Sequence, residues 1–368
     1  MTILATLFVL GVLIFFHELG HFLAAKAIKV KVERFSLGFG PILFRWKKKE
    51  TEYAISLIPF GGYVKLAGES LRECKGSKDE FYSRSPGERM FIALAGPIMS
   101  FLLAVGIFFL LYCVGLPFLM PLVSKVLPDS PAEKAGLKSG DLILEINGRK
   151  IQSWNEMAEI IHKNPGKKIS LKIKRGKDIL TLFVVPKKTK TKDIFGEEKE
   201  VGVIGILSGT KTVIRRFPPW KAFWMSVKET GRLCKLFIHA LKLLFTGRLS
   251  FRELCGPIGI AKIAGEEARQ GLIPLLYLIG FISINLGIIN LFPLPMLDGG
   301  YLLIFGVERL RKRPFSEKTM EIIQEIGIAI LIFLMLLVTY NDIWRLAKER
   351  NAKKIQKNQL EKPLHRGK

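Results

Sequence analysis

The sequence predicts a multi-span α-helical membrane protein with about four transmembrane helices, a membrane-associated β-hairpin and an inserted α+β domain. Three observations predict it. The 368 residues are 49% hydrophobic yet carry 57 Lys+Arg against 32 Asp+Glu, so greasy and basic segments must be segregated along the chain. The apolar residues gather into four runs, roughly 3–25, 91–115, 273–297 and 322–338 with an extension to Trp344, each near the ~20 residues a spanning helix needs. Between the second and third runs lies a long stretch of short apolar alternations broken by turn residues, the pattern of a water-soluble fold.

Residues 1–115 hold the first two spans and the loop between them. The first basic residue is Lys26, after the apolar run rather than before it as in a cleaved leader, so the run reads as a retained span. Within the loop Lys26–Arg89, the alternation of Tyr53, Ile55 and Leu57 and a turn at Gly61-Gly62 predict short strands that fold back on each other. Such a hairpin either stays in the cytoplasm or dips toward the bilayer, where its backbone must be satisfied by protein or a wet cavity. Residues 116–212 form the inserted domain, centred on Leu122–Pro186: a helix-like NEMAEIIHKN, a hairpin from ISLKIKRG and ILTLFVVP, and a turn at Asn147-Gly148.

Residues 213–272 read as an interfacial amphipathic region. Trp220, Phe223, Trp224, Val227, Cys234, Ile238, Leu241 and Phe245 recur at helical intervals, with Lys221, Lys228, Arg232, Lys235 and Lys242 between them, and Gly231 is the point at which this helix would kink or divide. A core helix of the soluble part is the other reading. Residues 273–344 hold the last two spans and 345–368 a basic tail, either solvated or resting on anionic lipid head groups. Positive charge flanking spans marks the cytoplasm, which places Lys26–Arg89 and Glu308–Lys318 there and the 122–272 region outside. The basic tail runs against this assignment, which two loops outweigh; a fifth, hidden span would relieve it. The net charge of +25 lies between and after the apolar runs, so the lipid bilayer is the partner it serves and nucleic acid is excluded. Cys74, Cys113, Cys234 and Cys255 form no CxxC pair and predict neither a zinc ribbon nor a disulfide framework.

The chemistry is concentrated in His17-Glu18-Leu19-Gly20-His21, an HExxH motif inside the first apolar run. Residues four apart share a helix face, so both imidazoles can address one zinc ion while Glu18 reaches its water as general base. Placing two histidines and a carboxylate inside a spanning helix costs several kcal/mol (about 2.5–3.5 per charged group), which argues for function. A catalytic zinc needs a third protein ligand. The acidic residue of the third run is Asp298 in NLFPLPMLDGG, where Pro293 and Pro295 interrupt helical hydrogen bonding and Gly299-Gly300 permits close backbone approach.

HELGH in the first span, SLGFGP and ISLIPFGGYVKLAGE after it, FYSRSPGERMFIALAGP entering the second and INLGIINLFPLPMLDGG in the third together resemble the site-2 protease family of intramembrane zinc metalloproteases. SPAEKAGLKSGDLILEINGRKI in the inserted domain resembles the signature of a PDZ domain. The resemblance implies that Zn2+ is held by His17, His21 and Asp298, that Glu18 is the catalytic base, and that Asn285 and Asn290 hold the substrate or its developing oxyanion. It also implies an active site near the cytoplasmic side of a bacterial inner membrane, a PDZ-like domain on the periplasmic side, and transmembrane segments of single-span proteins as substrates, such as anti-sigma factors or signal-peptide remnants. The chain departs from the family at Ser100, where members often carry Asn, and at Tyr301, where they often carry His; neither is expected to touch a ligand. The competing reading is a non-catalytic zinc-binding scaffold that recruits partners through its PDZ domain, which would leave Glu18 without a use. A metal transporter would need polar residues lining several spans, and the second and fourth runs offer almost none.

Overall fold

The structure is a computed structural model that describes residues 1–192 and 196–360, without the side chains of 59, 60 and 349–360. The chain divides into two compact units, Met1–Leu111 with Trp220–Lys368, and Tyr112–Pro219.

Among the described residues of the first unit, four helices are long and apolar enough to cross a membrane: α1 (Thr2–Ala27), α2 (Pro86–Val114), and, below, α7 and α9. α1 is apolar on every side, so apolarity cannot choose its packed face. Small residues choose it instead. A Cβ on Gly20 would lie 2.3 Å from the Ala95 carbonyl oxygen, which brings α1 against α2 at backbone distance. The buried stripe Val9, Leu13, His17, Gly20, Ala24 therefore carries the first histidine into the protein.

Between these helices, β1 (Val32–Lys48) and β2 (Thr51–Leu66) form the predicted hairpin, with a correction to its turn. The chain reverses at Lys49-Glu50, with Lys49 at φ 55°, while Gly61-Gly62 lie inside β2. Both strands also fold across themselves. Phe35, Ser36 and Leu37 pair with Val64, Tyr63 and Gly62 on one side and with Tyr53, Ala54 and Ile55 on the other, and Trp46 pairs with Tyr53. Glycine is required at the bend: Gly38 has φ +92°, and a Cβ there would meet the Ser56 and Ile58 carbonyl oxygens within 3 Å. The segment Gly62–Leu66 is left at the edge, paired along one side only among the described residues.

The second unit contains β3 (Leu116–Leu119), β4 (Val123–Val126), α3 (Pro131–Lys134), β5 (Leu142–Ile146), β6 (Arg149–Lys150), α4 (Trp154–His162), β7 (Ile169–Arg175), β8 (Asp178–Val184), β9 (Lys187–Lys192), β10 (Glu198–Val203), β11 (Ile206–Ser208) and β12 (Thr212–Arg215). The sheet β6-β5-β7-β8 closes at Asn147-Gly148, both at positive φ as a two-residue hairpin turn needs. Alternate residues Ile169, Leu171 and Ile173 enter its core beside Met157 and Ile161 of α4. β12 pairs with β3 through Arg215, which carries the unit past residue 212.

The first unit resumes with α5 (Pro219–Phe245), α6 (Pro257–Gln270), α7 (Leu272–Asn290), α8 (Asp298–Arg311) and α9 (Glu317–Leu360). α5 runs as one helix through Gly231, so the chain is not divided there. It buries Ala222, Ser226, Thr230 and Leu233 and leaves Trp220, Phe223, Trp224 and Ile238 exposed, the reverse of a core helix in water. The third span ends at Asn290 rather than continuing to 297, because the chain turns through Pro293 and Pro295 before α8 begins. α9 extends as backbone helix through Leu360, so the basic tail is a continuation of the fourth span and no separate element up to that point; residues 361–368 lie outside the described residues. No fifth membrane-length apolar helix occurs among the described residues.

Candidate metal centre

Three segments meet at one point of the first unit. α1 supplies His17 and His21 one turn apart, with Nε2 atoms 3.4 Å from each other. The start of α8 supplies Asp298, whose Oδ2 lies 3.2 Å from His17 Nε2 and Oδ1 3.4 Å from His21 Nε2. All three ligand atoms fall within 4.8 Å of one another. The end of α7 supplies Asn290, whose Nδ2 donates to His17 Nε2 at 3.0 Å.

Asp298 reaches this point because the preceding turn is unusually tight. Leu297 N–H donates to Leu294 O and Gly300 N–H to Leu297 O, while Met296 sits at φ 73°. A Cβ on Gly299 would lie 2.3 Å from the Leu291 and Phe292 carbonyl oxygens, and one on Gly300 2.2 Å from that of Leu294. The glycine pair is thus what lets α8 start beneath the end of α7. A buried ion pair holds the far end of α8: Arg89 of α2 meets Glu308 at 2.9 Å, with the guanidinium over the Tyr82 and Phe305 rings.

The imidazoles are oriented from behind. His21 Nδ1 lies 2.9 Å from the Ile92 carbonyl oxygen, an acceptor only, so Nδ1 carries the proton and Nε2 is free to ligate. His17 Nδ1 lies 3.1 Å from Ser100 Oγ. The expectation that Ser100 touches no ligand is therefore corrected. Gly96 makes room for both rings, since a Cβ there would lie 2.2 Å from His21 Nε2 and 2.9 Å from His17 Cε1. A two-nitrogen, one-oxygen donor set converging on one point, with Nδ1 of each ring engaged elsewhere, fits a catalytic zinc with one position left for water.

The three donors open on a cavity of about 790 Å3, lined also by Glu18, Asn290, Tyr301 and the edge segment Gly61–Leu66. Glu18 Cγ would lie 3.3 Å from a Cβ on Gly62, so the strand edge passes directly beside the glutamate. Tyr301 lines the cavity and stacks on Phe305 without bonding to a donor among the described contacts. Asn285 does not line the cavity; its Oδ1 is buried without a hydrogen-bond partner in the structure. The structure brings the sequence-named His17, His21, Glu18, Asp298 and Asn290 together at one cavity, and sequence reasoning did not name the groups behind the rings. Ser100 had a signal, a polar residue within an apolar span; the Ile92 carbonyl had none.

Membrane-length helices carrying a convergent His, His, Asp set beside a glutamate define the class: a multi-span membrane metallohydrolase. A model of peptidase family M50 matches residues 5–334, and the chain belongs to that family, the site-2 type of zinc metalloproteases. It is 37% identical over 350 residues to a Campylobacter jejuni protein described as a candidate zinc metalloprotease, with 94% of each chain covered. It is 31% identical over 441 residues to the regulator of sigma-E protease RseP of Escherichia coli, covering 92% of this chain and 97% of that one. Zinc metalloprotease RasP of Bacillus licheniformis is 31% identical over 425 residues, covering 94% and 99%. Among solved structures, the PDZ domain of an SdrC-like protein from Listeria innocua is similar over 25% of this chain and 96% of its own, at 29% identity and a TM-score of 0.21.

Proposed function

We propose that this zinc metalloprotease cleaves transmembrane segments of single-span membrane proteins, with His17, His21 and Asp298 holding the zinc and Glu18 as the catalytic base. The observation that carries the reading is the meeting of three donors, 277 residues apart between His21 and Asp298, at the floor of a cavity that Glu18 also lines. His17, His21 and Asp298 would hold a zinc ion, which when bound would polarise a peptide carbonyl and lower the pKa of a water toward about 7. Glu18, beside the donors in the cavity, would take a proton from the attacking water and pass it to the leaving amine.

A spanning substrate hides its peptide groups in helical hydrogen bonds and must be held extended to be cut. The unpaired edge of Gly62–Leu66 supports β-strand addition as the means, because it borders the cavity along its length. Asn290 stands beside the donors to hold the substrate carbonyl, whereas Asn285, which does not line the cavity, would need α7 to move before it met substrate. The basic loops Lys26–Arg89 and Glu308–Lys318 support a cavity on the cytoplasmic side of the inner membrane and a 116–212 domain on the periplasmic side. That domain, with its Asn147-Gly148 hairpin and α4 against the sheet, is read as a PDZ module that screens substrates by the size of their outer domains. The exposed aromatic face of α5 lies in the lipid interface. The Escherichia coli relative is named as a regulator of sigma-E protease, and the family resemblance implies anti-sigma factors or remnant signal peptides as the substrate class.

The test incubates detergent-solubilised protein with candidate single-span substrates, with and without a zinc chelator, and identifies the products by mass spectrometry. Cleavage within the span, lost on chelation and lost in Glu18→Gln with zinc retained, is the expected result. Unimpaired cleavage by Glu18→Gln would remove the assigned base. Tyr63→Pro is expected to retain zinc and lose cleavage; full activity would take the strand edge out of the mechanism.

A further inference from the structure

Both histidines present Nε2 to the centre, but the devices behind them differ. Behind His21 stands a backbone carbonyl, which can only accept, so the tautomer of that ring is dictated. Behind His17 stands the Ser100 hydroxyl, which can accept or donate. A donated hydroxyl hydrogen would place the proton of His17 on Nε2, the atom facing Asp298 and His21, and that ring could then not ligate.

The surroundings of Ser100 decide between these states. Its Oγ also lies 3.3 Å from the Gly96 carbonyl oxygen, one helical turn earlier. A hydroxyl has one hydrogen. Donated to Gly96 O, it leaves Oγ as an acceptor for Nδ1–H of His17, which is the ligating tautomer. Ser100 is 1% exposed, so no bulk water competes for either bond. The same residue is tied from a third helix: Ser283 Oγ of α7 donates to the Ser100 carbonyl at 2.7 Å, and Ser283 is equally buried.

We infer that Ser100 is a positioning residue for the metal centre, fixing the ring and tautomer of His17 through the relay His17 Nδ1–H to Ser100 Oγ–H to Gly96 O, at a node where α1, α2 and α7 meet. The inference rests on the assignment of His17 as a zinc ligand. It also gives the departure at this position a meaning. An asparagine there can offer a side-chain carbonyl to the same Nδ1–H, so Asn and Ser are two solutions to one requirement, whereas alanine satisfies neither.

The test measures zinc affinity in detergent by competition with a chromophoric chelator, for the full chain and for Ser100→Ala, Ser100→Asn and Ser283→Ala. Ser100→Ala is expected to weaken zinc binding about 10- to 100-fold, the range for loss of a partner behind a ligating histidine. Ser100→Asn is expected to recover most of that loss, and Ser283→Ala, which leaves the relay intact, to bind zinc as the unaltered chain does. Wild-type affinity in Ser100→Ala overturns the inference. So does weakened binding that Ser100→Asn fails to restore, because the effect would then be one of packing. Failure of the underlying assignment looks different: zinc would persist at full stoichiometry in His17→Ala, whatever the Ser100 variants do.

Discussion

The two units of this chain bury their residues by different rules. In Tyr112–Pro219 the buried residues are the greasy ones: Val123, Ile143, Leu171 and Ile173 are sealed from solvent, and polar residues alternate with them on the outer face. In the helical unit small and polar residues share the packed positions with large apolar ones such as Leu13, Phe108 and Ile284. Gly20, Gly96, Ser100, Ser283 and Gly280 sit at the helix crossings, while Leu4, Phe8, Leu102 and Leu110 point outward. Water drives the first arrangement, since apolar burial is its main reward. Lipid removes that reward, and close backbone approach with internal hydrogen bonds takes its place. The metal centre is possible only under the second rule, because imidazoles need the room that Gly96 leaves and the buried partners that Ser100 and Ile92 provide.

Substitutions that violate each rule in turn separate the units. The largest effect is expected at Gly96→Ala, whose methyl group would occupy the space of the His21 ring; zinc content by elemental analysis should fall below stoichiometric and proteolysis by orders of magnitude. Next comes Glu308→Ala, which strands Arg89 in a buried site. Loss of one partner of such a pair costs about 3–5 kcal/mol, so the helical unit should melt at markedly lower temperature in detergent and lose zinc with it.

Leu171→Ala carries the comparison to the other unit. A buried leucine truncated in a packed core costs about 2–5 kcal/mol, so amide-exchange protection in the sheet β6-β5-β7-β8 should drop while zinc stays at full stoichiometry. The contrasting substitution is Leu102→Ala, which removes the same atoms from a side chain that is 56% exposed and faces outward on α2. Its cost should stay within about 0.5 kcal/mol by the same measurement.

How much of this was legible follows the same division. Helical spacing alone brings His17 and His21 to one face with Glu18 on the flank, so that half of the centre could be read directly. The carboxylate was legible because an acid near the end of an apolar run is conspicuous, but the turn that delivers it was not: it depends on Gly299 and Gly300 meeting carbonyls of residues 291–294. Gly61-Gly62 misled because glycine pairs usually mark turns, whereas here they bring a strand alongside Glu18. The actual reversal at Lys49-Glu50 has a lysine in the left-handed region and no glycine or asparagine to announce it. In the second unit, Asn147-Gly148 and the alternating strands announced themselves, since water-driven burial writes itself into the pattern.

A smaller, pH-dependent effect belongs to the second unit alone. Burial by itself would raise the carboxyl of Asp141, but Arg175 at 2.7–2.8 Å and the Lys138 N–H hold it below the ordinary aspartate range. A carboxyl depressed by folding stabilises above its unfolded pKa of about 3.9 and loses that contribution as pH falls through the folded value. Acid titration should therefore loosen this unit below roughly pH 4, and Asp141→Asn should flatten that part of the curve. A curve unchanged by Asp141→Asn would remove the ion pair as its cause.

The central claim is that two imidazoles of the first span and a carboxylate from beyond the third hold one zinc ion. X-ray absorption at the zinc edge, on the purified chain and on Asp298→Ala, tests it most directly. The account predicts two histidine nitrogens at about 2.0–2.1 Å with oxygen completing the shell, and loss of zinc or of one oxygen in the variant. Sulfur in the shell, or a spectrum and zinc content identical in the two proteins, would contradict it.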